Sequence, residues 1–181
     1  ETDAALWTAK QLSQCYALYN KDCYAETLHY SDYASSTLAD MNELMLRACP
    51  EAKELIDLSC YTRMMDWYAS NFLYMKPWEP EQVYPRFFSS GDSGGTFRPA
   101  GNFMAHIAVR MKDEMPRQAA LASWLFHTTY QISATTDVAV LNKIAEHSGN
   151  FGYYALLMMP DMAAPKSPAE LGMDTHQYFE N

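Results

Sequence analysis

Apolar residues recur every three or four positions along most of this chain, and no other feature restricts its fold as strongly. The clearest run is Leu55, Leu58, Tyr61, Met65, Tyr68, Phe72 and Met75, spaced so that all seven share one face of a helix. Pro50 followed by Glu51 and Glu54 is a start signal, because proline needs no amide donor there and acids complement the exposed amides. Pro77 is the stop. About 26 residues of helix, nearly 40 Å, predict the central member of a bundle.

The same period predicts a first helix from the Thr2-Asp3 cap to about Tyr19, an irregular helical stretch over 22–33, and a stripe of Leu38, Met41, Met45 and Ala48. Further helices are expected from Asn102 to Met115, from Pro116 through Leu121, Trp124, Leu125 and Ile132, from Val138 to a C-cap at Gly149, and from Phe151 to Met159. No segment alternates convincingly with the two-residue period of a strand. The expectation is an all-α, single-domain bundle over 1–181 with about six to eight helices. The long irregular loop at 77–101 and the irregular tail at 160–181 are where function is looked for first.

At 181 residues and 49% hydrophobic, with 7 Gly and 9 Pro, the chain has enough apolar material for a core without staples. The longest stretch free of formal charge, Gln118 to Thr136, is interrupted by polar residues and predicts no membrane span. The net charge of −9 divides into −6 over 1–66, +1 over 67–132 and −4 over 133–181. That field disfavours nucleic acid and anionic membranes and favours a cationic or basic partner. Any anionic group is expected in the middle segment, near Arg86, Arg98, Arg110 and Arg117.

Four cysteines confined to the first third suggest two disulfides. Cys15 with Cys60 and Cys23 with Cys49 are nested pairs centred near residues 36 to 38, as antiparallel packing about a turn there would require. Bridges, together with a start at Glu1 that has no Met, predict an exported protein, periplasmic or extracellular.

Four constellations could carry chemistry. Gly91-Asp92-Ser93-Gly94-Gly95 resembles the nucleophile loop of chymotrypsin-like serine proteases, and His29 with Asp57 or Asp66 precedes it in the chain. The resemblance covers five residues. That family builds two β-barrels, whereas helical periodicity surrounds the pentapeptide here, so a flexible loop is the expectation. Glu26-x-x-His29 has di-iron spacing but no second copy, and reads as a polar helix face. The twelve methionines share stripes with Ile and Leu, as core residues do, so no metal and no cofactor are expected. Lastly, Trp78, Tyr84, Arg86, Phe87, Phe88 and Arg98 form an aromatic and cationic set in a proline-stiffened loop that suits recognition.

The leading expectation is therefore an exported, non-catalytic helical binding protein for a macromolecular partner, of the inhibitor, immunity or adaptor kind. A carrier of a small apolar ligand is the first alternative. A hydrolase near the loop is the second, with Asp92, Ser93 and His106 as nominees.

Overall fold

A computed structural model describes residues 2–179 apart from 25, 80, 81, 89, 91, 93, 134, 148–150 and 175–177, and leaves aside the side chains of 78, 79, 82, 143 and 145–147. The chain is mostly helical, with one small two-stranded antiparallel sheet, so it is not purely all-α. α1 (Thr2–Tyr19) and α2 (Leu28–Ala48) lead into three short helices: α3 (Ala52–Leu55), α4 (Ser59–Thr62) and α5 (Met65–Asn71). β1 (Phe72–Glu79) and β2 (Gln82–Phe87) follow as a hairpin, then α6 (Gly101–Arg110), α7 (Pro116–Tyr130), α8 (Val138–His147) and α9 (Tyr153–Met158).

The long helix expected over 50–76 is not formed. After α3 the backbone at Ile56 turns extended, and the Asp57 carboxylate accepts the Ser59 amide at 2.8 Å, an aspartate turn that restarts the chain in a new direction. Phe72 is extended too and begins β1. Three- and four-residue spacing persists across these breaks because each short piece still turns an apolar side inward. The hairpin occupies the first part of the expected irregular loop. Phe72 stands opposite Phe87 and Met75 opposite Pro85, and on its far side β2 meets the 95–96 segment through the Arg86–Thr96 bridge.

α6 is the central helix instead. From Phe103 to Ala108 every side chain is buried, the all-round apolar pattern of a helix enclosed by others. α7 packs along it, starting with Pro116 in its first turn and ending at Gln131 in the left-handed conformation. α9 closes on the start of α6, where a Cβ on Gly101 would lie 2.1 Å from the Phe151 carbonyl oxygen, so only glycine fits. The tail is docked: the Ala163 and Lys166 amides donate to the Ala108 and Ala120 carbonyls, laying residues 162–173 across α6 and α7.

All four cysteines are free thiols, and the nested disulfides are not formed. Leu6 and Ala9 of α1 cluster with Cys49, Ala52 and Ile56 beyond the far end of α2, so α1 and α2 are antiparallel. The reversal, however, falls at residues 20–27, and residues 36 to 38 lie inside a continuous α2. Cys23 and Cys49 consequently stand at opposite ends of a 21-residue helix, about 31 Å long. Cys15 lies on the outer face of α1, whereas Cys60 is fully buried. Without bridges, the cysteines no longer argue for an oxidising compartment.

Thiol titration checks this arrangement. Native protein should give one fast-reacting thiol, Cys15, and a slower one at Cys23. Cys49 and Cys60 should react only after denaturation, Cys60 being held back by burial that pushes its pKa up to about 12. Fewer than four thiols in denatured, unreduced protein would restore the bridges.

Candidate functional site

The inward face of α2 is polar. Ser31, Asp32, Ser35, Asn42 and Glu43 are buried alongside Leu38 and Ala39, so the helix must find a partner for each polar group it carries into the core. Glu43 finds three. Its carboxylate accepts from Arg47 Nε at 2.7 Å, from Arg110 Nε and Nη2 at 3.0 and 2.7 Å, and from His106 Nδ1 at 2.9 Å. Burial alone would raise the Glu43 pKa, but the His106 and Arg110 hydrogen bonds and charges outweigh it and hold the group at about 2. A carboxylate only accepts, so in the neutral ring Nδ1 carries the proton and the bare Nε2 accepts from the Tyr61 hydroxyl at 2.7 Å. Asn42 in turn donates to Tyr61.

A second polar cluster lies toward the start of α2. The Ala100 amide donates to both Asp32 oxygens at 3.0 and 3.1 Å, fixing the entry to α6. Burial pushes the Asp32 pKa up to about 7, and the Ala100 amide offsets only part of that. Tyr68 donates to Ser31 and to the Leu28 carbonyl, while Tyr16 and Ser35 meet at 2.5 Å. Asp32 to Ala100 and Glu43 to His106 and Arg110 advance together along both helices, so α2 and α6 run in the same sense.

The carboxylates and the histidine of both clusters are buried. His106, a catalytic nominee, is 1% exposed, and so is Glu43. The other nominees are not brought to it: Asp92 is an exposed turn residue, and Ser93 lies outside the described residues. Of the protease-like partners, His29 stacks on Phe97, Asp57 serves the Ser59 turn and Asp66 pairs with Arg117.

The loop's recognition set is largely engaged in fastening the hairpin. Arg98 donates to the Val83 and Thr129 carbonyls and lies 4.1 Å from the Tyr84 ring centroid, joining β2 to the end of α7. Arg86 bonds Thr96. Phe87 is a core residue, 2% exposed, packed against Phe72 and Phe97. Phe88 projects into solvent, and the Trp78 side chain lies outside the described residues.

Partly exposed aromatic rings line a cleft of about 820 Å³ between the end of α5, the start of β1, α7 and the docked tail. Trp67, Phe72, Trp124 and Phe179 form its aromatic walls. The Phe72 and Trp124 rings meet edge to face, centroids 5.4 Å apart at 85°, which makes a right-angled corner. Phe87 backs Phe72 from the core. The opposite wall is a turn at 167–172 tied by a reciprocal bond pair: Ser167 N and Oγ donate to Glu170 Oε2 at 2.8 and 2.7 Å, while the Glu170 amide donates back to Ser167 Oγ. Ser70, Asn71, Ser167 and Asp174 supply the polar lining. Concavity, aromatic walls and a few convergent polar groups are what a ligand site needs.

No family model, curated protein or solved structure matches the chain. Among the described residues no group of three or more His, Cys, Asp or Glu could hold a metal ion, and no helix is long and apolar enough to cross a membrane. The reading of the site therefore rests on its geometry.

Sequence reasoning passed over Trp67, Trp124 and Asp174. Trp67 and Trp124 looked like ordinary helix positions, and the tail that completes the cleft looked irregular. Ser167-x-x-Glu170 was the available signal, since that spacing marks a self-capped turn.

The two buried carboxylates give opposite pH responses. Glu43 stabilises the fold fully above its ordinary 4.5, and that contribution is lost as pH falls toward 2. Asp32 holds its proton in the fold up to about 7 but loses it near 3.8 when unfolded, so stability declines as pH rises between these values. Asp32→Asn keeps an acceptor for Ala100 and should gain on wild type by roughly 1–3 kcal/mol between pH 5 and pH 8, read from denaturant melts. Parallel curves would refute a buried, proton-holding Asp32. Glu43→Gln should cost close to the lower end of the ~3–5 kcal/mol of a broken buried pair, since both arginines retain access to water.

Proposed function

We propose that the chain is a non-catalytic binding protein and that its working surface is the aromatic cleft, which takes a small ligand with an apolar body. The observation that carries this reading is the corner of Phe72 and Trp124 in an open concavity that Trp67 also lines. Large apolar rings left accessible in a walled cleft keep an unrealised gain of roughly 25 cal/mol for each Å² a ligand would cover. The buried carboxylates Asp32 and Glu43 and His106 are committed to holding α2 and α6, which supports binding over the hydrolase reading. Docking of a protein on the hairpin has less support, because Tyr84, Arg86, Phe87 and Arg98 are occupied internally.

A macromolecular partner, as an inhibitor, immunity protein or adaptor would have, is favoured by one different observation. The outer face of α1 exposes Trp7 at 65% and Leu18 at 73%, beside Leu12 and Tyr19, within the segment that carries −6. A basic partner with an apolar patch would fit that face.

Native mass spectrometry of protein taken from its own source tests the ligand reading. Wild type should carry a bound small mass, and the Trp67→Ala/Trp124→Ala double variant should carry none. A wild-type protein that is always empty, or a double variant equally loaded, would count against the cleft.

A further inference from the structure

We infer that the ligand class of the aromatic cleft is an organic cation, an alkylammonium or quaternary ammonium group on a small apolar body; this rests on the binding reading above. Four aromatic side chains line the cleft, Trp67, Phe72, Trp124 and Phe179, and two of them, Phe72 and Trp124, stand at 85° to one another. Rings at right angles offer a rounded cation more than one surface, and the negative face of each ring attracts it. Tryptophan, the strongest of the aromatic side chains in this role, supplies two of the four.

The rest of the lining has the matching sign. Asp174 brings a carboxylate to the same cleft, and no Lys or Arg stands among the described lining residues. Elsewhere the protein fills its cation–aromatic contacts from its own chain, with Arg98 over Tyr84 and Arg47 over Tyr154. Among the described residues no cation–aromatic contact involves a ring of the cleft. Ser70 and Asn71 enter from the last turn of α5, the end of a helix that favours positive charge. The tail wall belongs to a segment of net −4, and the whole chain carries −9, so a cation is drawn toward the cleft and an anion is turned away.

The test compares choline with neohexanol, its uncharged isostere of nearly equal shape, by following Trp fluorescence and the indole N–H signals of Trp67 and Trp124. Choline should bind at least tenfold more tightly than neohexanol, and added salt should weaken choline alone. Asp174→Asn should lower choline affinity about three- to tenfold and leave neohexanol unchanged. Trp124→Leu should abolish both, and Asp174→Asn stands as the informative variant if Trp124→Leu fails to fold. Equal or tighter binding of neohexanol would overturn the cation inference while the cleft remains a binding site. Failure of both compounds to shift either indole would overturn the inference and the cleft reading together.

Discussion

A carboxylate cut off from water survives ionised only where donors surround it, and at Glu43 those donors come from two helices. Arg47 is on the same helix, one turn on, but His106 and Arg110 belong to α6. The requirement to satisfy Glu43 therefore fixes both the separation and the rotation of α2 against the central helix. Asp32, three turns earlier, repeats the constraint through the Ala100 amide at the start of α6. With both ends of α6 registered on α2, the remaining elements inherit their places: α7 along α6, α9 on Gly101, and the tail across α6 and α7.

That dependence explains which parts of the fold were legible in the sequence. α1, α7 and α9 follow apolar spacing and capping residues, and those signals are local. α2 was legible as a helix but not in its rotation. Its stripe of Leu38, Met41, Met45 and Ala48 suggested one inward face, while the face that is buried carries Ser31, Asp32, Ser35, Asn42 and Glu43. Polar side chains turn inward only when partners await them, and for Asp32 and Glu43 the partners on α6 lie more than sixty residues away in the chain. A hydrophobic pattern holds no record of them.

The failure over 50–76 has a different cause. Helical spacing there is real, but it reports only that each piece turns an apolar side to the core, and does not require one continuous axis. Asp57 ends the first piece by capturing the Ser59 amide, and the β-forming run Phe72-Leu73-Tyr74 takes up the hairpin once Phe87 lies opposite Phe72. The disulfide expectation fell separately, because the reversal between α1 and α2 lies at residues 20–27 and not at 36 to 38. Two of the nominated recognition residues, Phe87 and Arg98, hold the hairpin down.

The candidate site depends on that anchoring. Phe87 is packed between Phe72 and Phe97, so the ring forming one side of the cleft's corner is held from behind by the core. Trp124 is fixed by α7, and the tail wall is stiffened by the Ser167–Glu170 bonds and by the Lys166 amide on α7. A cleft whose walls are set before the ligand arrives loses little further side-chain freedom on binding, and more of the ring contact then appears as affinity. The polar core and the aromatic cleft thus divide the labour: α2 and α6 use nearly all the buried charge to make a rigid frame, and the frame holds uncharged rings and one carboxylate at its edge, where solvent and ligand can reach them.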